Sequence, residues 1–270
     1  MNAEVTIQTH IRNGITSLQQ GYATPPFKIA DITENKKAGV LELMLMSSSP
    51  GILDGDRYNI RVTVGENCRL RLHTQSYQRL FHMKNGASQR MQVQLQKGAS
   101  FIYLPHPTVP HEQAVFTSRN KLYLHPESSL VWGEILTCGR KLNGELFHFS
   151  QYHSVTEIFS NNKLLVKENL LVQPALTPVQ HIGQWEGYTH QASLIYYNNA
   201  APITDIIETV YTYLSQQKDV ALGISHAPGN GFIARLLGYK AEQLYQYLQT
   251  IAVLAGSHTG TTTKQAQYAR

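Results

Sequence analysis

The sequence predicts a mainly β protein, built of irregular β-solenoid-like or β-sandwich sheets with two C-terminal helices packed on the sheet. Three observations predict it. Runs such as Tyr58-Asn59-Ile60-Arg61-Val62-Thr63-Val64 alternate polar and apolar residues with a period of two, as a half-buried strand does. A strand–turn–strand unit recurs three times at a spacing of about 30 residues. Helical spacing is confined to the last third, at Ile206, Ile207, Val210, Tyr213 and Leu214, and again at Ala241, Leu244, Tyr245, Leu248 and Ile251.

Taken in order, Val40-Leu41-Glu42-Leu43-Met44-Leu45-Met46 is too apolar for a surface loop and reads as a buried strand. It feeds the octapeptide Ser49-Pro50-Gly51-Ile52-Leu53-Asp54-Gly55-Asp56. Pro50 presets φ at the first corner of a turn, Gly51 accepts a positive φ at the second, and Gly55 repeats the device. Asp54 and Asp56 sit where this tight loop enters the next strand. They are either solvated turn aspartates or carboxylates aimed into a cleft. Thr74-Gln75-Ser76 follows one strand later. The three repeated units run from Val62 to Leu72, from Val93 to Leu104 and from Leu122 to Trp132. Each exposes an apolar stripe that it cannot bury alone, so stacking the copies gives a solenoid-like core, with an irregular sandwich as the alternative.

Strand patterns continue over Leu146–His153, Leu164–Val172 and Ala192–Tyr197. Thr204 reads as the N-cap of the first helix, with Asp205 in its first turn. Val220–His226 and Phe232–Leu237 read as strands joined by a hairpin at Pro228-Gly229-Asn230-Gly231, ahead of the second helix. One domain is expected over residues 1–257, with its helical elements at about 204–254, followed by a disordered Ser/Thr/Gly/Gln-rich tail at 258–270.

The 270 residues are 42% hydrophobic, enough for a substantial core, while only 15% are charged, a low share that fits a surface partly covered by partners. The net charge of +5 raises nucleic acid as a ligand, but the longest basic cluster is Lys36-Lys37 and no nucleic-acid-binding motif accompanies it. Cys68 and Cys138 form no CxxC pair, which argues against a disulfide framework or a structural zinc site. The N-terminus lacks a basic-then-apolar leader pattern and no apolar run reaches the length of a membrane span, so the expected location is the cytoplasm.

Motifs for nucleotide hydrolysis, dinucleotide binding and the nucleophile elbow are missing. His111-Glu112 begins a zinc-protease pattern that fails at Val115. The 12 histidines are scattered singly, so spacing singles none out as a metal ligand.

Several segments, in order, resemble the urease accessory proteins of the UreD/UreH family. They are Thr24-Pro25-Pro26-Phe27-Lys28, the octapeptide Ser49 to Asp56, Thr74-Gln75-Ser76, Leu104-Pro105-His106-Pro107-Thr108-Val109-Pro110, and Trp132-Gly133-Glu134 with Gly139-Arg140. Together they cover residues 20–190, and from Ala200 on the likeness is one of general shape. His111 is a departure, since the family usually has an aromatic residue there. Pro50, Gly51, Gly55, Gln75, Gly139 and Arg140 are the structural residues of the shared motifs.

The resemblance implies a mostly β fold with a solenoid-like wrap and two helices. It also implies no catalytic activity, but a maturation factor for urease. Its partners would be UreF, the GTPase UreG through UreF, and apo-urease, in a hetero-oligomer without nucleic acid or membrane. The family is thought to route nickel through an internal wet passage, with no cofactor bound permanently and no stable metal site. Nickel(II) binds tightly where several ligands converge, so a conduit needs isolated carboxylates with water between them. Asp56, Glu134 and Glu168 are the candidates, with Thr74 and Ser76 lining the same route. Each has a plainer role open to it: Glu134 paired with Arg140 or another arginine in a buried bridge, Glu168 on a solvated strand edge, and Thr74 and Ser76 on a polar strand face. His73 and His82 are candidate transient contacts, and Arg140 either anchors its turn or joins a partner surface. The competing readings are a metal-dependent β-fold enzyme using Asp56 and Glu134 as acid and base, and an interaction module presenting exposed apolar C-terminal helices.

Overall fold

The computed structural model describes residues 1–257. The expected tail at 258–270 lies outside the described residues. The chain opens with β1 (Asn2–Arg12), β2 (Ile15–Ala23), β3 (Phe27–Asp31) and β4 (Val40–Ser47). Next come β5 (Arg57–Val64), β6 (Arg69–Thr74), β7 (Gln78–Leu80), β8 (Ala87–Leu95), β9 (Ser100–Tyr103) and β10 (Thr108–Pro110). The middle of the chain holds β11 (Val115–Leu124), β12 (Ser129–Thr137), β13 (Gln151–Ser160), β14 (Lys163–Val172) and β15 (His190–Asn198). It closes with α1 (Ile203–Ser215), β16 (Val220–Ala227), β17 (Gly231–Gly238) and α2 (Ala241–Ser257).

Two sheets face each other. The first has the order β14-β13-β11-β8-β5-β1-β2, and the second runs β16-β17-β15-β12-β9-β6-β4-β3 with β7 and β10 attached beside β12. Strands β1, β5, β8, β11 and β13 pair in parallel, as do β4, β6, β9 and β12. Parallel neighbours need a long crossover, and here a strand of the opposite sheet supplies it. Each repeated unit sends its first strand into one sheet and its second into the other, as β5–β6, β8–β9 and β11–β12. The units stack in register, Val64 beside Leu95 beside Leu124, and Arg69 beside Ser100 beside Ser129. Their turns also align. Cys68, Ala99 and Ser128 each donate a backbone hydrogen bond to the residue three back, at 2.9–3.1 Å. Asn67 and Gly98 take the left-handed corner at φ 57° and 64°, while Pro126 fixes the first corner of the third turn.

Because side chains alternate across a strand, the register decides which residues meet between the sheets. Toward the turns they are aliphatic and aromatic, among them Val64, Leu70, Leu95, Phe101, Leu124 and Leu130, all nearly or fully buried. A second core lies on the far side of the second sheet, where Val210 and Leu214 of α1 and Leu244, Leu248 and Ile251 of α2 pack against Leu194, Phe232 and Ala234. The helices therefore bury their apolar faces on the sheet rather than presenting them to a partner, which corrects the reading of exposed apolar helices.

Smaller corrections have local causes. The first helix starts at Ile203 with Pro202 as its cap and no side-chain capping bond, two residues ahead of the cap expected at Thr204. The strand expected from Leu146 begins at Gln151, because Phe147 at φ 61° turns the chain back to the carbonyl of Cys138. The hairpin between β16 and β17 forms as expected, with Gly229 and Asn230 at φ 79° and 62°. No helix among the described residues is long and apolar enough to cross a membrane.

The interlayer assignment makes a direct prediction. Leu122 is fully buried and its neighbour Lys121 is exposed. Leu122→Ala is expected to cost ~2–5 kcal/mol and Lys121→Ala no more than ~0.5 kcal/mol, read as shifts in the urea unfolding midpoint.

Candidate functional site

The alternation that fills one end of the interlayer space with aliphatic residues continues at the other end with different chemistry. On β11 the inward positions pass from Leu124 and Leu122 to Asn120 and Ser118, and on β13 from Ile158 to Thr156 and Ser154. On β12 they pass from Leu130 and Trp132 to Glu134, and on β6 from Leu70 and Leu72 to Thr74. The result is a cavity of about 130 Å³ between the sheets, lined by Thr74, Gln78, Gln89, Asn120 and Glu134 among others. A narrower space of about 30 Å³ continues the gap, bounded by Glu134, Ser154, Thr156, Glu168, Gln191 and Ser193. The two spaces share Trp132, Glu134 and Tyr152 as wall residues.

Glu134 occupies that shared wall. Its Oε1 accepts from Asn120 Nδ2 at 3.1 Å, Trp132 Nε1 at 3.1 Å and Thr156 Oγ1 at 2.9 Å, while among the described residues Oε2 accepts only from Ser154 Oγ at 2.8 Å. Hydrogen bonds to a charged group are worth ~1.5–3 kcal/mol each, so these donors offset much of the cost of enclosing the carboxylate. The expected bridge to Arg140 does not form. Arg140 projects to the surface and forks onto Glu145, Nε to Oε2 at 2.9 Å and Nη2 to Oε1. The buried phenols of Tyr103 and Tyr152 are pushed above the usual tyrosine range, first by burial and then by the Glu134 charge.

Glu168 lines the outer end of the narrower space and pairs with Arg235, joining β14 of the first sheet to β17 of the second. It forms this ion pair across the gap from an edge strand, with its side chain 23% exposed. Thr74 lines the larger cavity near its mouth. Its hydroxyl accepts from the backbone N–H of His106 at 2.8 Å and shares a 3.0 Å hydrogen bond with His106 Nδ1. Gln75 and Ser76 follow on the exposed rim. His106 stacks on Tyr245 of α2 at 4.9 Å, and Tyr77 donates to Glu242 at 3.3 Å, so α2 borders the mouth. Burial holds the His106 imidazole below its ordinary range.

The octapeptide forms the opposite lip. Ser49, Pro50, Gly51 and Ile52 line the cavity. Gly51 does not take the positive φ expected of it. Its need for glycine is close approach, because a Cβ there would strike the carbonyl of Arg79, which accepts the 2.8 Å bond from Ile52 N–H. Gly55 does take a positive φ, 78°. Asp54 is exposed and ties down the neighbouring loop through the N–H groups of Asn85 and Gly86, bonds that hold its carboxyl below the usual range.

Asp56 is buried but is not among the cavity-lining residues. It accepts from the Met1 ammonium at 2.9 Å, Leu53 N–H at 2.8 Å and Tyr58 Oη at 2.8 Å. Burial opposes its charge, and these donors outweigh burial, leaving its pKa below the ordinary value. Tyr58 stands between Asp56 and the cavity, so Asp56 and Glu134 do not face one common space as an acid–base pair would. Gly139 takes φ 118° with the Pro110 carbonyl 3.0 Å from where its Cβ would sit, which brings Arg140 beside Glu145. His73 pairs with Glu42 at 3.2 Å, and His82 is exposed; neither lines the cavity. Among the described residues no three His, Cys, Asp or Glu side chains converge as a metal site would require.

Fold and site define a β-solenoid-like scaffold that encloses a polar interlayer space. The family model for "UreD urease accessory protein" matches residues 1–269, extending the likeness through the C-terminal third. Relatives named urease accessory protein UreD include that of Flavobacterium johnsoniae, 47% identical over 92% of this chain and 90% of the relative. That of Acetivibrio thermocellus is 36% identical over 91% and 94%, and one from Haemophilus influenzae is 33% identical over 95% and 100%. The chain belongs to the UreD family of urease accessory proteins.

Behind the Arg140 turn lies a buried histidine. His190 is 6% exposed and shares a 2.8 Å hydrogen bond with Thr189 Oγ1, which Lys141 Nζ reaches at 3.3 Å. Burial, reinforced by the Lys141 charge, pushes the His190 pKa down to about 4. The unfolded chain therefore binds the extra proton first, and stability falls as pH drops below about 6.5 toward 4. Between pH 7 and pH 5 this one group removes about 2 kcal/mol. His190→Asn is expected to lose that much less stability over the same interval, measured by urea denaturation at each pH.

Proposed function

We propose that this chain is a non-catalytic urease maturation scaffold. It binds UreF, recruits the GTPase UreG through UreF to apo-urease in the cytoplasm, and lets nickel pass through its interlayer space. The observation that carries this reading is the single carboxylate, Glu134, set in the wall shared by two polar spaces.

The chemistry suits transit. A divalent nickel ion surrounded by several carboxylates or imidazoles is trapped. Here Oε1 of Glu134 is held by three donors and fixes the group's orientation, while Oε2 keeps one rotatable hydroxyl as its partner. Oε2 can attract a hydrated cation and release it again as the Ser154 hydroxyl swings. Thr74, Asn120 and Thr156 replace part of the hydration shell without adding charge. Glu168, neutralised by Arg235, marks the far end, where the ion pair must part for the ion to leave. Asp56 acts from behind the wall by holding Tyr58.

The test begins with co-expression of the chain with UreF from the same source and size-exclusion chromatography. A co-eluting complex that then recruits UreG is expected, and a monomer indifferent to UreF sinks the scaffold reading. In that complex Glu134→Gln, which keeps the side-chain shape without the charge, is expected to lower the nickel content and activity of matured urease at least about tenfold. Unchanged nickel loading in both Glu134→Gln and Glu168→Ala, with the complex intact, would remove nickel passage from the reading.

A further inference from the structure

Both helices pack on the second sheet, so the outer face of the first sheet carries no covering layer among the described residues. The outward positions follow the same register as the core. Arg90 of β8 and Arg119 of β11 stand side by side, with Asn59 of β5 next in the row. In the adjacent row Arg61, Gln92 and Lys121 are neighbours, and Arg57 lies at the start of β5. Arg57, Arg61, Arg90 and Arg119 are all exposed, and none makes an ion pair among the described residues. Acid on this face is sparse. Glu157 is held between Lys121 and Lys167, at 3.9 and 3.3 Å, and Glu4 stands at the β1 side.

We infer that this face is a docking surface for the flat, carboxylate-rich face of a folded protein. Four uncompensated arginines repel one another unless a partner supplies acid. Next to them Tyr123 and Phe159 stack at 5.3 Å on the same outer surface. Arginine and aromatic residues are both enriched at protein interfaces. Seven strands spaced ~4.8 Å apart and eight to eleven residues long give a face of roughly 29 by 30 Å, about 870 Å². That equals one side of a standard protein interface.

Resting on the maturation reading above, we assign the occupant as apo-urease. A client must leave once it is loaded, and a charge-steered interface gives fast association with a salt-sensitive, reversible complex. The face also ends at β14, where Lys167 points outward and the next residue, Glu168, lines the narrow end of the interlayer space. A protein docked here borders that end.

The chain co-purified with UreF is titrated against immobilised apo-urease from the same source. Binding is expected to weaken at least tenfold as ionic strength rises from about 0.01 M to about 0.15 M, where the screening length falls from ~30 Å to ~8 Å. Arg90→Glu/Arg119→Glu is expected to weaken it on the order of 100-fold, while Arg90→Lys/Arg119→Lys stays within a few-fold. Circular dichroism and UreF co-elution check the fold, and Arg57→Glu/Arg61→Glu is a second variant on the same face. Apo-urease binding unmoved by both reversals overturns the inference and leaves the scaffold reading standing. Reversals that release UreF from a folded chain overturn the assignment to apo-urease. A short DNA duplex that binds more tightly than apo-urease, and is lost in the reversals, makes the face a nucleic-acid surface instead. Failure of the unmodified chain to bind either UreF or apo-urease removes the maturation reading itself, and the inference with it.

Discussion

The in-register stacking of three strand–turn–strand units is the constraint on which the rest depends. Each unit crosses from one sheet to the other, so one backbone ladder sets the register of both sheets at once. A side-chain period of two means that a slip by one residue would turn every inward group outward. Val64, Leu95 and Leu124 would then face water, and Glu134 would leave the interlayer space together with its partners on β11 and β13. Core and polar cavity are two ends of the same ladder.

That continuity explains how a carboxylate comes to sit between sheets with no cationic partner among the described residues. An unpaired buried carboxylate is strongly disfavoured. Glu134 instead receives donors from its own strand through Trp132, from β11 through Asn120, and from β13 through Ser154 and Thr156. Three stacked strands supply what one loop could not. The apolar end of the ladder and the helix layer on the second sheet provide separate cores, so the polar end need not contribute packing of its own.

Much of this fold was legible because its signals are periodic. The alternation of Tyr58 to Val64, the three repeated units and the helical spacing of Ile206 to Leu214 each report on many residues at once. The site was legible in part. Glu134 was a candidate through the family resemblance, which rests in part on Trp132-Gly133-Glu134. Its partners were not, although a signal was present: Ser118, Asn120, Ser154 and Thr156 are polar at positions where the period demands inward-facing residues. A Glu134–Arg140 bridge was open as the plainer alternative, because a buried charge is usually paired. It fails because Gly139 at φ 118° carries Arg140 out of the strand and onto Glu145. Asp56 was legible as a turn carboxylate, but its position behind Tyr58 depends on a strand–loop geometry that no local pattern encodes.

The C-terminal helices cannot be separated from the cavity they partly border. Gly133 precedes Glu134 and faces the opposite side of β12, where a Cβ would lie 2.6 Å from Leu104 Cδ2 and 3.1 Å from Leu248 Cδ1. Glycine at that point lets α2 approach the strand closely. One turn earlier in α2, Tyr245 reaches the Leu104 carbonyl and stacks on His106, the residue that Thr74 holds at the mouth. The helix thus rests on the back of the strand that carries the carboxylate and on the rim of the space the carboxylate faces. Interiors packed this closely transmit displacement rather than absorb it, so the seating of α2 and the shape of the polar cavity form one mechanical unit.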